Sequence, residues 1–210
     1  TTYAPYGRTG TWLIDPNDYT IAASGGYITV SQLSTNLGTT SVTILSSDGA
    51  TGTNGDIFVN DTVSWSANTT LTLSAYRNVD GTLGLINPSG GAGNVILRAD
   101  NTGTGPGAAA GTVILGAANV TLGTGTATVY YNPASYAALT DYGVSGFITG
   151  GTTISQALVF VNNTSATAQS RAYDGTTTAT LSGPFAFLTG PDGVTAGQIV
   201  SLSAGTADFN

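Results

Sequence analysis

The chain has 210 residues, of which 4 are Lys or Arg and 11 are Asp or Glu, so its formal net charge is −7. All the basic residues are Arg and all the acidic ones are Asp, and His, Cys and Met are absent. This composition excludes the imidazole, thiol and amine chemistry on which most acid–base, nucleophilic and zinc-dependent catalysis depends. It also offers no basic surface for nucleic acid. We therefore expect a non-enzyme that binds no cofactor, metal ion or nucleic acid.

Taken in chain order, short segments with alternating apolar residues are separated by Gly, Asn, Asp and Ser, and helical periodicity is nearly missing. Nine segments predict strands: YITV (27–30), SVTIL (41–45), DIFVN (56–60), TVSWSA (62–67), TLTLSA (70–75), NVILRA (94–99), TVILGA (112–117), NVTLG (119–123) and TATVYY (126–131). The alternation predicts that one set of side chains points inward: Val42, Ile44, Ile57, Val59, Leu71, Leu73, Val95, Leu97, Val113, Leu115, Val120 and Leu122.

Two architectures fit these strands, an antiparallel sandwich and a parallel β-solenoid. A sandwich usually contains tight two-residue hairpins, and Asn54-Gly55 is the one clear match, with Asp48-Gly49 close by. The solenoid explains more, because LTLSA (71–75), VILRAD (95–100) and VILGAANVTLG (113–123) resemble successive turns that each end in a small corner residue. We therefore predict an all-β chain with a short parallel β-solenoid over residues 15–128.

The composition changes after this region. Residues 129–150 contain four Tyr, and we interpret them as an aromatic cap or linker. Residues 151–210 are predicted to form a small β module, and residues 1–14 a separate N-terminal segment. No run of residues approaches the ~18 apolar residues that would span a bilayer, so membrane insertion is not expected. The low charge and the abundance of Thr, Ser, Asn and Gly are typical of an exposed extracellular protein.

Several stretches resemble the filamentous-haemagglutinin-like secreted adhesins of Gram-negative bacteria. They are GTWLIDPNDYTI (10–21), GDIFVNDTVSWSANTTLTLSAYRNV (55–79) and VILRAD (95–100). AYDGTTTATLSG (172–183) and GQIVSLSAGTADF (197–209) are similar to the YDG-type repeat of the same proteins, with Tyr173, Asp174 and Gly175 at the motif that gives the repeat its name. The Asn-Pro-Asn-Leu motif of the family's secretion domain is missing, which suggests an internal piece of a longer precursor or a variant of the family.

The resemblance implies a right-handed parallel β-helix, two-partner secretion through an outer-membrane partner, and a location outside the cell or on the bacterial surface. It also implies that the YDG-like module stops short of its closing strand at Phe209. An unfinished sheet leaves backbone groups unpaired, and a strand from another copy is a natural way to cover it.

We therefore expect a structural protein that assembles head to tail into a homopolymeric fibre, for adhesion or for the biofilm matrix. The expected donor strand contains Tyr3, Tyr6, Trp12 and Ile14. The expected acceptor module contains Tyr173, Asp174, Gly175 and Phe209.

Other interpretations stay open at this stage. The alternative to a fibre is a monomeric shaft fragment of a larger secreted adhesin. Thr-x-Thr pairs such as Thr70/Thr72 and Thr126/Thr128 suggest a face that binds ice or a carbohydrate surface, although their spacing is not constant. The segment 51–60 resembles one imperfect copy of a calcium-binding repeat, and Asp56, Asp61 and Asp100 would be the carboxylates of a polysaccharide-degrading site.

Overall fold

The computed structural model describes residues 12–14, 17–47, 54–88, 90–103, 111–133, 139–159, 167–168 and 181–182. This part of the chain is mostly β, which confirms the all-β prediction at that level. The strands are β1 (Trp12–Ile14), β2 (Tyr19–Ala22), β3 (Ile28–Thr29), β4 (Val42–Leu45), β5 (Ile57–Val59), β6 (Val63–Ser64), β7 (Thr70–Ser74), β8 (Val79–Asp80), β9 (Ile86–Asn87), β10 (Asn94–Arg98), β11 (Val113–Ile114), β12 (Val120–Leu122), β13 (Thr126–Tyr131), β14 (Ile148–Gly150), β15 (Thr153–Leu158), β16 (Thr167–Ala168) and β17 (Leu181–Ser182). One helix, α1 (Val30–Leu37), accompanies them in the described ranges.

Fifteen of these strands, β1 to β15, form three sheets in which every pairing is parallel. Sheet A has the order β1-β4-β7-β10-β13-β15, sheet B the order β11-β8-β5-β2-β3, and sheet C the order β14-β12-β9-β6. From β4 to β12 the chain visits A, B and C in turn three times. Parallel neighbours of this kind are not those of the antiparallel sandwich considered above.

The side chains predicted to point inward are all buried, as the strand alternation requires. In sheet A the register stacks them into columns. One column runs through Val42, Leu71, Val95 and Ala127, and the next through Ile44, Leu73, Leu97 and Val129. These residues belong to one apolar core, whose burial at roughly 25 cal/mol per Å² is the main source of stability.

Helix α1 is the element that the strand pattern missed, because YITV was predicted to continue as a strand. Only Ile28 and Thr29 are extended, and Val30 begins the helix. Thr29 caps it: the Oγ1 of Thr29 accepts a hydrogen bond from the N–H of Gln32, whose own side chain accepts one from the N–H of Thr29. Such a reciprocal capping box, followed by Leu33 and Leu37 on one buried face, is a sequence signal that could have revealed the helix.

Asparagine side chains connect segments that lie next to one another in the sheets but far apart in the sequence. The N–H of Thr112 donates to Asn78 Oδ1 at 2.9 Å, and the N–H of Thr126 donates to Asn94 Oδ1 at 3.0 Å. The side-chain amide of Asn119 donates to two backbone carbonyls of the preceding turn. These bonds satisfy backbone groups that the short strands leave unpaired at the corners.

The parallel sheets continue beyond residue 128, where the sequence predicted the end of the solenoid. That position lies inside β13, and β14 and β15 extend sheets C and A as far as Leu158. Tyr130 and Tyr131 alternate between the outer and inner face like any other strand residues, so their aromatic character does not mark a boundary. Beyond residue 159 the description is limited to the antiparallel pair β16 and β17, so most of the expected YDG-like module lies outside it.

Candidate functional site

Sheet A begins on the three-residue strand β1 and ends on the six-residue strand β15. At one edge, β1 pairs with β4, and at the other, β15 pairs with β13; within the described residues each has that single strand neighbour. The register across the sheet is unbroken, so Leu13 of β1 and Ser155 of β15 occupy the two ends of one row of register partners. Edge strands with unpaired backbone groups are the natural places at which another chain adds a strand.

The N-terminal edges of the other two sheets are different. Sheet B ends in β3, which has only two residues. Beside the edge strand β6 of sheet C lies α1, and the N–H of Ser64 donates to Ser34 Oγ of that helix at 3.0 Å. A helix over a sheet edge and a very short edge strand are both ways in which proteins prevent strand addition.

At the C-terminal end of sheet B, a tyrosine takes the place of a further strand. The hydroxyl of Tyr142 donates to the carbonyl oxygen of Val113 in the edge strand β11 at 2.7 Å. The ring of Tyr142 packs edge-on against that of Tyr131, with centroids 5.0 Å apart, and it also contacts Phe147. Gln156 holds this segment to β15, since its Oε1 accepts from the N–H of Tyr142 at 2.9 Å. The polar Gln156 stands in register with the inward-facing Val129, a role that the sequence pattern did not indicate.

Burial perturbs the two tyrosines of this cluster. Desolvation raises the pKa of Tyr131 to about 12, helped by the nearby charge of Asp141 and opposed by a hydrogen bond to the backbone of Thr140. Desolvation raises the pKa of Tyr142 as well. Both phenols therefore stay neutral at physiological pH and serve as buried hydrogen-bond donors.

The structure describes two of the residues expected to form a subunit interface. Trp12 and Ile14 lie in β1, in register with Val42 and Ile44 of the same chain. The other expected interface residues lie outside the described ranges: Tyr3, Tyr6, Tyr173, Asp174, Gly175 and Phe209.

The carboxylates considered for calcium or catalysis do not form one group. Asp56 is buried and accepts hydrogen bonds from the guanidinium of Arg77 and from the N–H of Asn78. The side chain of Asp61 accepts from the N–H of the next residue, and that of Asp100 accepts from Asn132. No cluster of three or more potential metal ligands occurs in the described part of the chain.

The Thr-x-Thr pairs share the outer face of sheet A. Thr72 and Thr128 stand in one column with Ile96 of β10 between them, and Thr70 and Thr126 flank Asn94 in the same way. The threonines are therefore aligned both along the strands and across the sheet, but β10 interrupts the alignment across the sheet. The irregular spacing in the sequence hides this alignment, because the loops between strands differ in length.

None of the helices that the structure describes has the length and apolarity needed to cross a membrane. Comparison with family models, with curated proteins and with solved structures finds no match to this chain, so the resemblance to filamentous-haemagglutinin-like adhesins stays a prediction.

Proposed function

We propose that the chain is an extracellular structural protein of a bacterial surface, in which the three sheets are the faces of one right-handed parallel β-solenoid. Copies join head to tail by β-strand addition and form a fibre for adhesion or matrix formation. A precursor would be exported by an outer-membrane secretion partner, as the resemblance to filamentous-haemagglutinin-like adhesins implies.

The solenoid is supported by the order in which the chain visits the sheets. Three consecutive circuits place one strand in each of A, B and C, and each strand of the second and third circuits pairs in parallel with the strand one circuit earlier. The unbroken inner columns of sheet A are what stacked turns produce. Right-handedness is the general preference of parallel crossover connections.

Association through sheet A is supported by the contrast between the sheet ends. The N-terminal edge of sheet C lies beside α1, and the C-terminal edge of sheet B is bonded to Tyr142. Sheet A instead ends on β1 and β15, which run in the same direction at opposite edges of one parallel sheet. This last observation carries the proposal: placing β1 of one copy beside β15 of another continues the sheet, and such a heterologous contact repeats into a filament.

A charge-pairing experiment tests this geometry. If the register continues across the contact, Leu13 of one copy stands beside Ser155 of the next. The double variant Leu13→Lys/Ser155→Lys puts like charges side by side, while Leu13→Lys/Ser155→Glu puts opposite charges there. Since such pairs contribute roughly 0.2–1 kcal/mol, we expect up to about a fivefold difference in the critical concentration for filament formation, measured by sedimentation and electron microscopy.

The matched control is Thr72→Lys/Thr128→Lys, which adds the same charge to the same row of register partners away from both edges. Equal critical concentrations for this control and the Lys/Lys edge variant would contradict association through β1 and β15. A wild-type chain that stays monodisperse at every concentration would overturn the fibre and leave the monomeric shaft of a larger adhesin.

Deletion of residues 1–11 separates the two routes to a fibre. This deletion retains β1 but removes Tyr3 and Tyr6, the part of the expected donor segment that precedes it. Filaments that survive the deletion favour continuation of sheet A. Filaments that disappear, with the thermal midpoint unchanged, favour donation of the N-terminal segment to a module of the next copy.

The outer face of sheet A supports a second candidate, an ice- or carbohydrate-surface-binding solenoid. The supporting observation is the shared alignment of the pairs Thr70/Thr72 and Thr126/Thr128. Because β10 lies between the two pairs, their hydroxyls are two strand spacings apart, ~9.6 Å, on this face. A thermal-hysteresis assay decides this point: measurable hysteresis that is lost in Thr128→Lys would favour it, and none at millimolar protein would remove it.

A further inference from the structure

We propose that a cleft at the corner between sheets A and B binds an acidic saccharide, through a carboxylate on a sugar unit such as a uronic acid. The cleft has a volume of about 620 Å³, within the range of small-molecule sites. It is formed where three successive strands of sheet A, namely β4, β7 and β10, turn toward sheet B. Its lining residues are Leu45, Ser46, Ser47, Ser74, Tyr76, Arg98, Asn101 and Thr102.

The positively charged residue of this cleft is Arg98, and its ion pairing differs from that of Arg77. The guanidinium of Arg77 makes two hydrogen bonds to the carboxylate of Asp56. Arg98 has no carboxylate within salt-bridge distance among the described residues, and none of the lining residues named above is acidic. In a chain whose net charge is −7, this makes the cleft a local site for an anion.

Two contacts hold Arg98 in place without neutralising it. Its Nη2 lies 3.4 Å from the carbonyl oxygen of Asn101, and its guanidinium carbon lies 5.6 Å from the centre of the Tyr130 ring. Its Nε is buried and has no hydrogen-bond partner among the described residues. A guanidinium held in this way can donate to both oxygens of a carboxylate at little entropic cost.

The floor of the cleft is rigid and polar. The side-chain amide of Asn101 donates to the carbonyl oxygens of Ser46 and Ser74 at 2.9 and 3.1 Å. The buried Ser46 Oγ donates to the carbonyl of Gly55 at 2.6 Å and accepts from the N–H of Tyr76 at 3.0 Å. These bonds join three turns of the chain, so the floor is formed before a ligand arrives.

The remaining lining groups suit a sugar better than a bare anion. Ser47, Ser74 and Thr102 contribute hydroxyls, and Tyr76 contributes an aromatic ring that can pack on the apolar face of a pyranose. Gly55, at a φ of +70°, lies so close to Tyr76 that a Cβ there would be 2.5 Å from the Cβ of Tyr76. A single guanidinium, an aromatic ring and several hydroxyls in one cleft match a sugar that carries one carboxylate.

Calorimetric titration of the 210-residue chain with oligogalacturonate and oligoglucuronate tests the proposal, with neutral oligosaccharides of equal length, acetate and sulfate as comparisons. The measurement is made below the concentration at which the chain associates, so that it does not depend on the fibre. We expect the acidic oligosaccharides to bind at least tenfold more tightly than the neutral ones. Arg98→Gln should weaken that binding by about tenfold or more, because a charge-assisted hydrogen bond is lost.

Val144→Asp is the matched control, since it changes the net charge by the same amount at a residue that is 88% exposed and does not line the cleft. It should leave saccharide binding unchanged. Arg98→Lys should restore only part of the affinity, because an ammonium cannot make the paired contact.

Four results would overturn the proposal. They are equal binding of neutral and acidic oligosaccharides, equal binding of acetate and the saccharides, an equal loss in Arg98→Gln and Val144→Asp, and the absence of any binding at millimolar saccharide.

Discussion

Replacing Tyr142 with Phe tests whether this tyrosine closes the end of sheet B. The substitution keeps the ring that packs against Tyr131 and removes only the hydroxyl that donates to the carbonyl oxygen of Val113. That oxygen belongs to the buried residue Val113, so it would be left without its partner at a cost of about 1–3 kcal/mol. Tyr142→Ala removes the ring too, and should cost about 3–5 kcal/mol. Both values can be measured by urea unfolding at neutral pH.

The pH dependence gives this prediction a second, independent measurement. Burial raises the pKa of Tyr142 and of Tyr131, the latter to about 12, whereas tyrosines in the unfolded chain ionise near 10. Above pH ~10 the unfolded chain therefore holds fewer protons than the folded one, and the free energy of unfolding falls as the pH rises toward 12. For Tyr131 alone the raised pKa corresponds to a loss of about 2–3 kcal/mol.

Tyr142→Phe should be less stable than the wild type at pH 7 and yet lose less stability between pH 10 and 12, because one buried phenol with a raised pKa is gone. The reasoning is refuted if the variant unfolds at the same urea concentration as the wild type at pH 7. It is also refuted if the two proteins lose equal stability over the alkaline range.

Two further substitutions test contacts that stabilise the fold, one an ion pair and the other a close approach of two backbone segments. Arg77→Ala leaves the buried carboxylate of Asp56 without its guanidinium and should lower the free energy of unfolding by about 3 kcal/mol. Arg98→Ala should lower it much less, because Arg98 is paired with no carboxylate among the described residues. Equal losses of stability in urea unfolding would contradict this prediction. Gly125→Ala puts a Cβ against the backbone carbonyl of Gly93 and should lower the free energy of unfolding by about 1–3 kcal/mol. Gly143→Ala is the control, because the nearest atom to a Cβ there would be at an ordinary contact distance of 3.4 Å. If both variants lower the thermal midpoint equally, the close approach of Gly125 to Gly93 is not the cause.

The inward residues could be predicted because alternation along a strand is a local property. Val95 and Leu97 are buried for the same reason as Leu71 and Leu73, and no knowledge of the neighbouring strand is needed to see it. Which sheet a strand joins is not local. β5 and β6 are separated by three residues and belong to different sheets, because the chain bends at Asn60–Thr62 between them.

The candidate site was less predictable than the core, for a related physical reason. A strand is at an edge of sheet A only if a single strand pairs with it, as for β1 and β15 among the described residues. The pattern of apolar residues within a strand does not show how many strands pair with it. Likewise, the contact of Tyr142 with Val113 joins residues 29 positions apart, across a corner whose geometry depends on packing. The capping box of Thr29 and Gln32 is a local feature, so the sequence alone could have predicted α1. The helix was missed because YITV was interpreted as a strand.

The positions of the two proposed sites make them compatible and separable. The cleft is built from the last residues of β4, β7 and β10 and the residues after them, and these are interior strands of sheet A. The proposed association would use β1 and β15 at the edges of the same sheet. A copy added at either edge extends the sheet along its stacking direction and leaves the corner beside Arg98 uncovered by the strand it adds. Each added copy would therefore repeat the cleft along one corner of the fibre. Several weak saccharide contacts could then act together on one polymer without any new contact being made. The edges would supply the length of the fibre and the corner its attachment, so that a variant affecting one property should leave the other intact.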